Sequence, residues 1–199
     1  MLDTSQAEIL IYQYGLVPDQ VRLSEVNTLY EFRITVLRPF LTNMFLHGGW
    51  GHLIGNMWIL FIFGDNVEDR MGKVRYFIFY ILCGLIASFT HFILHRSSPI
   101  PAIGASGAIS GVMAAYMLMF PKSTIVSFVP IFIIPFLIPI PAIIYIGLWF
   151  LAQLLSGTTS LMLSDAATGI AFWAHIGGFL GGLFLYRFFD SSRGKAFYQ

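Results

Sequence analysis

In the stretch IGASGAISG, residues 103–111, a serine hydroxyl stands at position 106 between glycines in an otherwise apolar run. His175 sits in similar surroundings in AHIGGFLGG, and His52 and Asn56 fall within GHLIGN. A serine and a histidine facing each other on neighbouring helices form a nucleophile and base, the imidazole nitrogen taking the hydroxyl proton as the oxygen attacks an acyl carbon. His52 and Asn56, four residues apart, share one helix face, and both can donate hydrogen bonds to an oxyanion. A preorganised donor of that kind is worth roughly 3 kcal/mol of barrier in a dry site. Gly104 and Gly107 leave the backbone beside Ser106 open, so its amide can join those donors. Gly107 with Gly111, and Gly178 with Gly182, make two small-residue surfaces on which helix backbones approach closely, as a Ser106–His175 contact requires. Asp165 precedes the last apolar segment and no acidic residue falls at the depth of the four polar residues, so the set reads as a dyad rather than a triad.

These side chains need elements to hold them, and the composition says in what solvent. The chain is 57% hydrophobic, 17% aromatic and only 11% charged, against roughly a quarter charged in soluble domains. It belongs in a bilayer. A net charge of +1 gives no reason to expect nucleic acid or an acidic partner. The single cysteine, Cys83, lies in an apolar run and reads as a small core residue. Residues 1–35 mix Asp3, Glu8, Asp19, Arg22, Glu25, Glu31 and Arg33, which is unlike a secretory signal.

Apolar segments cover residues 50–64, 74–94, 103–120, 125–155 and 169–189. A spanning helix needs about 20 apolar residues, so the second, third and fifth qualify by length. The first is short and is expected to begin within RPFLTNMFLHGG, residues 38–49, bent by Pro39 and the Gly48–Gly49 pair. The fourth carries Pro130, Pro135, Pro139 and Pro141, which predicts an irregular or interfacial hairpin followed by a short, loosely anchored helix over about 142–155. Arg70, Lys73 and Arg75, then Lys122, then Arg187, Arg193 and Lys195 mark alternate loops as cytoplasmic. His52, Asn56, Ser106 and His175 then lie near the starts of odd-numbered spans, at one shallow depth beneath the outer face.

Taken singly, each feature has a plainer reading. A lone GxSG in a membrane helix is most often a packing motif, and a lone histidine there an interhelical hydrogen-bonding group. Glu68 and Arg70 read as a solvated or interfacial cluster. His91 and His95 have metal-ligand spacing but no evident third ligand, and Trp50, Trp58, Trp149 and Trp173 read as interface or packing aromatics. What singles out the set of four is their common depth.

HGGWGHLIGN, residues 47–56, GASG, residues 104–107, and AHIGGFLGG, residues 174–182, in that order, resemble the motifs of the rhomboid family of intramembrane serine proteases over roughly residues 37–189. GDNVEDRMG, residues 64–72, resembles the family's Glu-x-Arg. The resemblance implies Ser106 as nucleophile, His175 as general base, His52 and Asn56 at the oxyanion site, and His47 holding the adjoining outer loop. It also implies that the helix beginning near Ala142 is a lateral gate, and that substrates are single-span membrane proteins with small residues at the cut and a destabilised helix below it. Two departures stand out. Some members place a tyrosine four residues after the nucleophile, stacked on the catalytic histidine, where this chain has Ser110, so the base must be oriented from elsewhere. The family core has six helices, and the one before the outer loop is not visible here.

The expectation is therefore an all-α, polytopic, rhomboid-like bundle of five spans in a prokaryotic plasma membrane. Residues 1–46 form an outer or interfacial segment, 47–189 the membrane core and 190–199 a short cytoplasmic tail. Residues 9–18, ILIYQYGLVP, are expected to be loop following a helix lost upstream of Met1. The expected activity is cleavage of transmembrane segments by a Ser106/His175 dyad without metal or cofactor. The alternative is an inactive rhomboid-like protein that binds membrane helices. A small transporter would need polar groups reaching both faces, and the inner halves of these spans are too apolar for that.

Overall fold

The computed structural model describes residues 4–131, 134–162 and 171–191. It is mostly helical. Five long helices form its body: α5 (Trp50–Met71), α6 (Lys73–Leu94), α7 (Ser106–Met119), α8 (Ala142–Met162) and α9 (Phe172–Phe189). Shorter helices precede them: α1 (Thr4–Tyr14), α2 (Pro18–Leu23), α3 (Leu29–Glu31) and α4 (Arg38–Thr42). Strands β1 (Thr124–Ile131) and β2 (Ile134–Pro141) pair antiparallel between α7 and α8, with Val129 opposite Phe136.

The long helices sit where the five apolar segments lie, but α6 and α8 alone among the described helices are both long and apolar enough to cross a membrane by length and composition. Three boundaries correct the sequence reading. Helix α5 does not begin in residues 38–49: it starts at Trp50, after Gly48–Gly49, and gains its length at the other end, through Asp65, Glu68 and Arg70. Helix α7 starts at Ser106, not at 103, because Gly104 adopts a left-handed backbone (φ 125°) that breaks the run. Its 14 residues rise only about 21 Å at 1.5 Å per residue. Helix α8 does begin at Ala142, but it continues to Met162 rather than stopping near 155, and the proline-rich stretch before it is a regular hairpin closed by the Ala142 amide on the Ser123 carbonyl (2.8 Å).

The N-terminal segment is more ordered than a loop. Residues 9–14 lie within α1, whose sequence holds neither glycine nor proline, and after the bend at Gly15 the chain is extended at Leu16 and Val17. Residues 29–45 form one helical run in which a π-helical turn, Phe32–Leu37, precedes Pro39. Proline has no N–H for the usual i−4 bond, and at this point the Arg38 amide bonds five residues back, to Arg33.

Helix α7 is the centre of the bundle, and its residues 107–116 are buried. The surrounding helices present stripes at a spacing of four: Phe63, Val67 and Met71 from α5, and Phe79, Cys83 and Ala87 from α6, all at most 2% exposed. Cys83 is thus a core residue. Phe61, Phe77, Phe89, Leu148, Leu155, Phe184 and Phe188 point outward, each more than half exposed. So much outward apolar surface suits lipid rather than water.

Candidate active site

The two backbones that carry Ser106 and His175 approach until nothing larger than glycine fits between them. A Cβ on Gly178 would collide with the Gly107 carbonyl oxygen, and one on Gly182 with the Gly111 carbonyl oxygen. One on Gly111 would stand 2.9 Å from the Gly178 oxygen and 2.5 Å from Cys83 Sγ. The two glycine pairs therefore form the α7–α9 crossing that the spacing predicts.

One turn above this crossing, His175 Nε2 and Ser106 Oγ are 2.8 Å apart, a hydrogen bond between residues far apart in sequence. Ser106 is the first residue of α7, and His175 lies in the first turn of α9. The loop that delivers Ser106 is held from the N-terminal segment. Leu16 and Ala102 exchange backbone hydrogen bonds (3.0 and 2.8 Å), and the Gly104 amide donates to the Asn43 carbonyl (2.9 Å). Asn43 is itself tied to α6, its Nδ2 donating to Ser88 Oγ at 3.0 Å. The short helices and extended residues before α5 thus fix the height of Ser106.

His52 borders the space above Ser106. Its ring passes so close to Gly104 that a Cβ there would stand 2.8 Å from it, with Ser106 Oγ 3.6 Å from the same point. Asn56, one turn along α5, is buried, and its Nδ2 has no hydrogen-bond partner among the described residues. An unpartnered buried amide donor is costly, and on this helix face it is available to an acceptor that arrives with a reacting group. No hydrogen bond joins His52 or Asn56 to Ser106 or His175 among the described contacts. His47 packs edge-on against His52, ring centroids 5.0 Å apart. Burial first, and the neighbouring His52 second, hold the His47 imidazole below the ordinary histidine range.

The far side of the His175 ring was not legible in the sequence. Gln153 Oε1 of α8 lies 2.7 Å from His175 Nδ1, and the Trp149 ring lies 6.0 Å from the imidazole. Ser110, where some rhomboids carry tyrosine, does not reach the imidazole: its hydroxyl donates to the Ser106 carbonyl at 2.6 Å. The signal for Gln153 was slight, the one carboxamide in an apolar helix. Asp165 lies outside the described residues.

Other sequence candidates resolve differently. Arg70 is not a freely solvated group. Its guanidinium meets the Asp190 carboxylate at 3.2 Å and donates to the Met119 carbonyl at 3.1 Å, joining the ends of α5, α7 and α9. Asp190 meets Arg70, the exposed Ser191 hydroxyl donates to the Arg70 carbonyl, and residues 192–199 lie outside the described residues. His91 and His95 stack on each other (4.6 Å), and no group of three or more His, Cys, Asp or Glu able to hold a metal occurs among the described residues. Trp149 and Trp173 contact the α8–α9 seam, whereas Trp50 and Trp58 face outward.

A bundle that turns apolar side chains outward and holds a partly buried Ser–His contact at a glycine-lined crossing has the anatomy of a membrane-embedded helical protein. Residues 35–191 match the family model of the Rhomboid domain, and the chain belongs to the rhomboid family of integral membrane proteins. It is 24% identical over 168 residues to RHOMBOID-like protein 12, mitochondrial, of Arabidopsis thaliana, covering 76% of this chain and 46% of that protein. It is 29% identical over 97 residues to the human presenilin-associated rhomboid-like protein, mitochondrial (47% of this chain, 26% of the relative). A Bacillus subtilis rhomboid protein, YdcA, is 32% identical over 79 residues (40% and 39%). The chain spans less than half the length of each of these relatives. Two are mitochondrial by name and one is bacterial, so they support a membrane location without singling out a prokaryotic plasma membrane.

Proposed function

We propose that this protein is an intramembrane serine endopeptidase that cuts transmembrane segments of other membrane proteins. The observation that carries the reading is the 2.8 Å contact between Ser106 Oγ and His175 Nε2. His175 removes the hydroxyl proton as Ser106 attacks the scissile carbonyl, then returns it to the leaving amine, and water releases the acyl group by the same route in reverse. The negative oxygen of each tetrahedral intermediate is received by Asn56 Nδ2, His52 and the Ser106 amide. His47 steadies His52 from the loop before α5. Helices α5 to α9 cross the membrane, the dyad lying toward the outer face, and the shortness of α7 leaves Ser106 recessed below that face. Substrates are single-span proteins with small residues at the cut, and α8, the outermost helix against the site, is the side on which they enter.

The alternative, an inactive helix-binding relative, gives no reason for an imidazole on the Ser106 hydroxyl or for an unpaired buried donor at Asn56. The test is labelling of the detergent-purified chain with a fluorophosphonate. Wild type is expected to label at Ser106 and Ser106→Ala not to. Equal labelling of both would remove Ser106 as the nucleophile.

A further inference from the structure

Gln153 is the only carboxamide along α8, and its place is fixed by a contact that extends a turn to either side. Trp149, Gln153 and Gly157, spaced by four, form the stripe of α8 that meets α9. The Trp149 ring lies 6.0 Å from the His175 ring, and the Gly157 carbonyl accepts from Trp173 Nε1 at 3.0 Å. A Cβ on Gly157 would come within 3.2 Å of Ile176. Glycine there lets α8 lie close enough for the Gln153 oxygen to reach Nδ1 at 2.7 Å, opposite the Nε2–Ser106 contact at 2.8 Å.

A neutral imidazole has one acceptor nitrogen. For His175 to take the Ser106 proton that nitrogen must be Nε2, so Nδ1 must carry the hydrogen. We infer that Gln153 is a positioning residue for His175: its carbonyl oxygen accepts the Nδ1 hydrogen and so fixes both the ring rotation and the tautomer that leaves Nε2 free as base. It does without charge what the aspartate does in a Ser–His–Asp triad, and the inference rests on the Ser106/His175 reading above. The lack of charge has a consequence. When Nε2 takes the proton, the imidazolium faces a dipole rather than an anion. Among the described residues the other titratable groups that act on His175 are His52 of α5 and His91 of α6, both bases, while Ser106 of α7 and Trp149 of α8 bring no charge. A carboxylate at position 153 would be the first negative group in that shell among the described residues, and it would favour the protonated base.

The experiment is the rate constant of fluorophosphonate labelling between about pH 5 and 9, on the full chain in detergent, for wild type, Gln153→Leu and Gln153→Glu. Ser106→Ala serves as the blank and thermal unfolding as the check on folding. Gln153→Leu is expected to melt like wild type and to label on the order of 10- to 100-fold more slowly, as a misaligned base should. Gln153→Glu retains the acceptor and is expected to label, with the midpoint of its acidic limb about one pH unit or more above that of wild type. Labelling of Gln153→Leu at the wild-type rate, or an unmoved limb in Gln153→Glu, would overturn the inference. If Gln153→Leu does not fold, the Gln153→Glu limb decides. A wild-type chain that labels no better than the blank removes the dyad, and this inference with it, which is a different result from a variant that matches a labelled wild type.

Discussion

In the proposed mechanism Ser106 and His175 act on one proton, so removing either disables the same step. Ser106→Ala and His175→Ala are each expected to lower cleavage by about 10⁴-fold or more, to background. Asn56→Ala is expected to slow it by about 10²–10³-fold, because His52 and the Ser106 amide remain as donors. Complete loss in a folded Asn56→Ala chain, read from initial rates beside a melting curve, would give Asn56 another role. His47 makes a prediction about stability. Its folded-state pKa is lowered by burial, so the unfolded chain binds the proton more readily, and stability present above the ordinary histidine value near 6.5 is lost as pH falls below it. Wild type should therefore lose more thermal stability than His47→Gln between about pH 7 and 5, and parallel losses would show that His47 is not involved. The types and surroundings of Ser106, His52, Asn56 and His175 marked them as candidates in the sequence, and the structure brings Ser106 and His175 into contact. Gln153 was not found because a single amide in an apolar helix has no meaning until α8 is laid against α9, a contact with no local signal.

Among elements, the α7–α9 crossing sets the distance between Ser106 and His175. A Cβ at Gly178 would meet the Gly107 backbone oxygen, while at Gly147 nothing lies within 4 Å. Gly178→Ala is thus expected to force the helices apart, costing about 1–3 kcal/mol and most of the activity. Gly147→Ala should be neutral or stabilising by about 0.5–1 kcal/mol, since helical glycine is unfavourable. Equal melting temperatures for the two variants would contradict the crossing. The glycine spacing made this element pair readable in advance, but boundaries were less readable. Gly48–Gly49 signals a break without saying which side continues as helix, and an apolar run from 103 hides the left-handed turn at Gly104. Residues 4–14 could have been read as helix from their composition, yet the Gly15–Pro18 turn drew the whole stretch toward loop.

Over the whole molecule, the end of the bundle away from the dyad is fastened by Arg70, which ties α5 to the Met119 carbonyl and to Asp190 beyond α9. The Asp190 side chain is 5% exposed and that of Arg70 23%, so Arg70→Ala leaves a nearly buried carboxylate short of a partner. It is expected to cost about 1–2 kcal/mol, seen as a lower melting temperature with the chemistry of the dyad intact. An unchanged melt would mean the clasp adds nothing. The charged residues of this clasp were visible in the sequence, but their pairing across 120 residues of chain was not. The central claim is that the bundle performs hydrolysis at Ser106 on a peptide bond inside a membrane segment. The direct measurement is mass spectrometry of products after the full chain is reconstituted in lipid vesicles with a single-span substrate bearing small residues near the outer end of its span. The account predicts two fragments from one cut within that span, formed by wild type and absent with Ser106→Ala. Intact substrate with folded wild type, or the same fragments from Ser106→Ala, would contradict it.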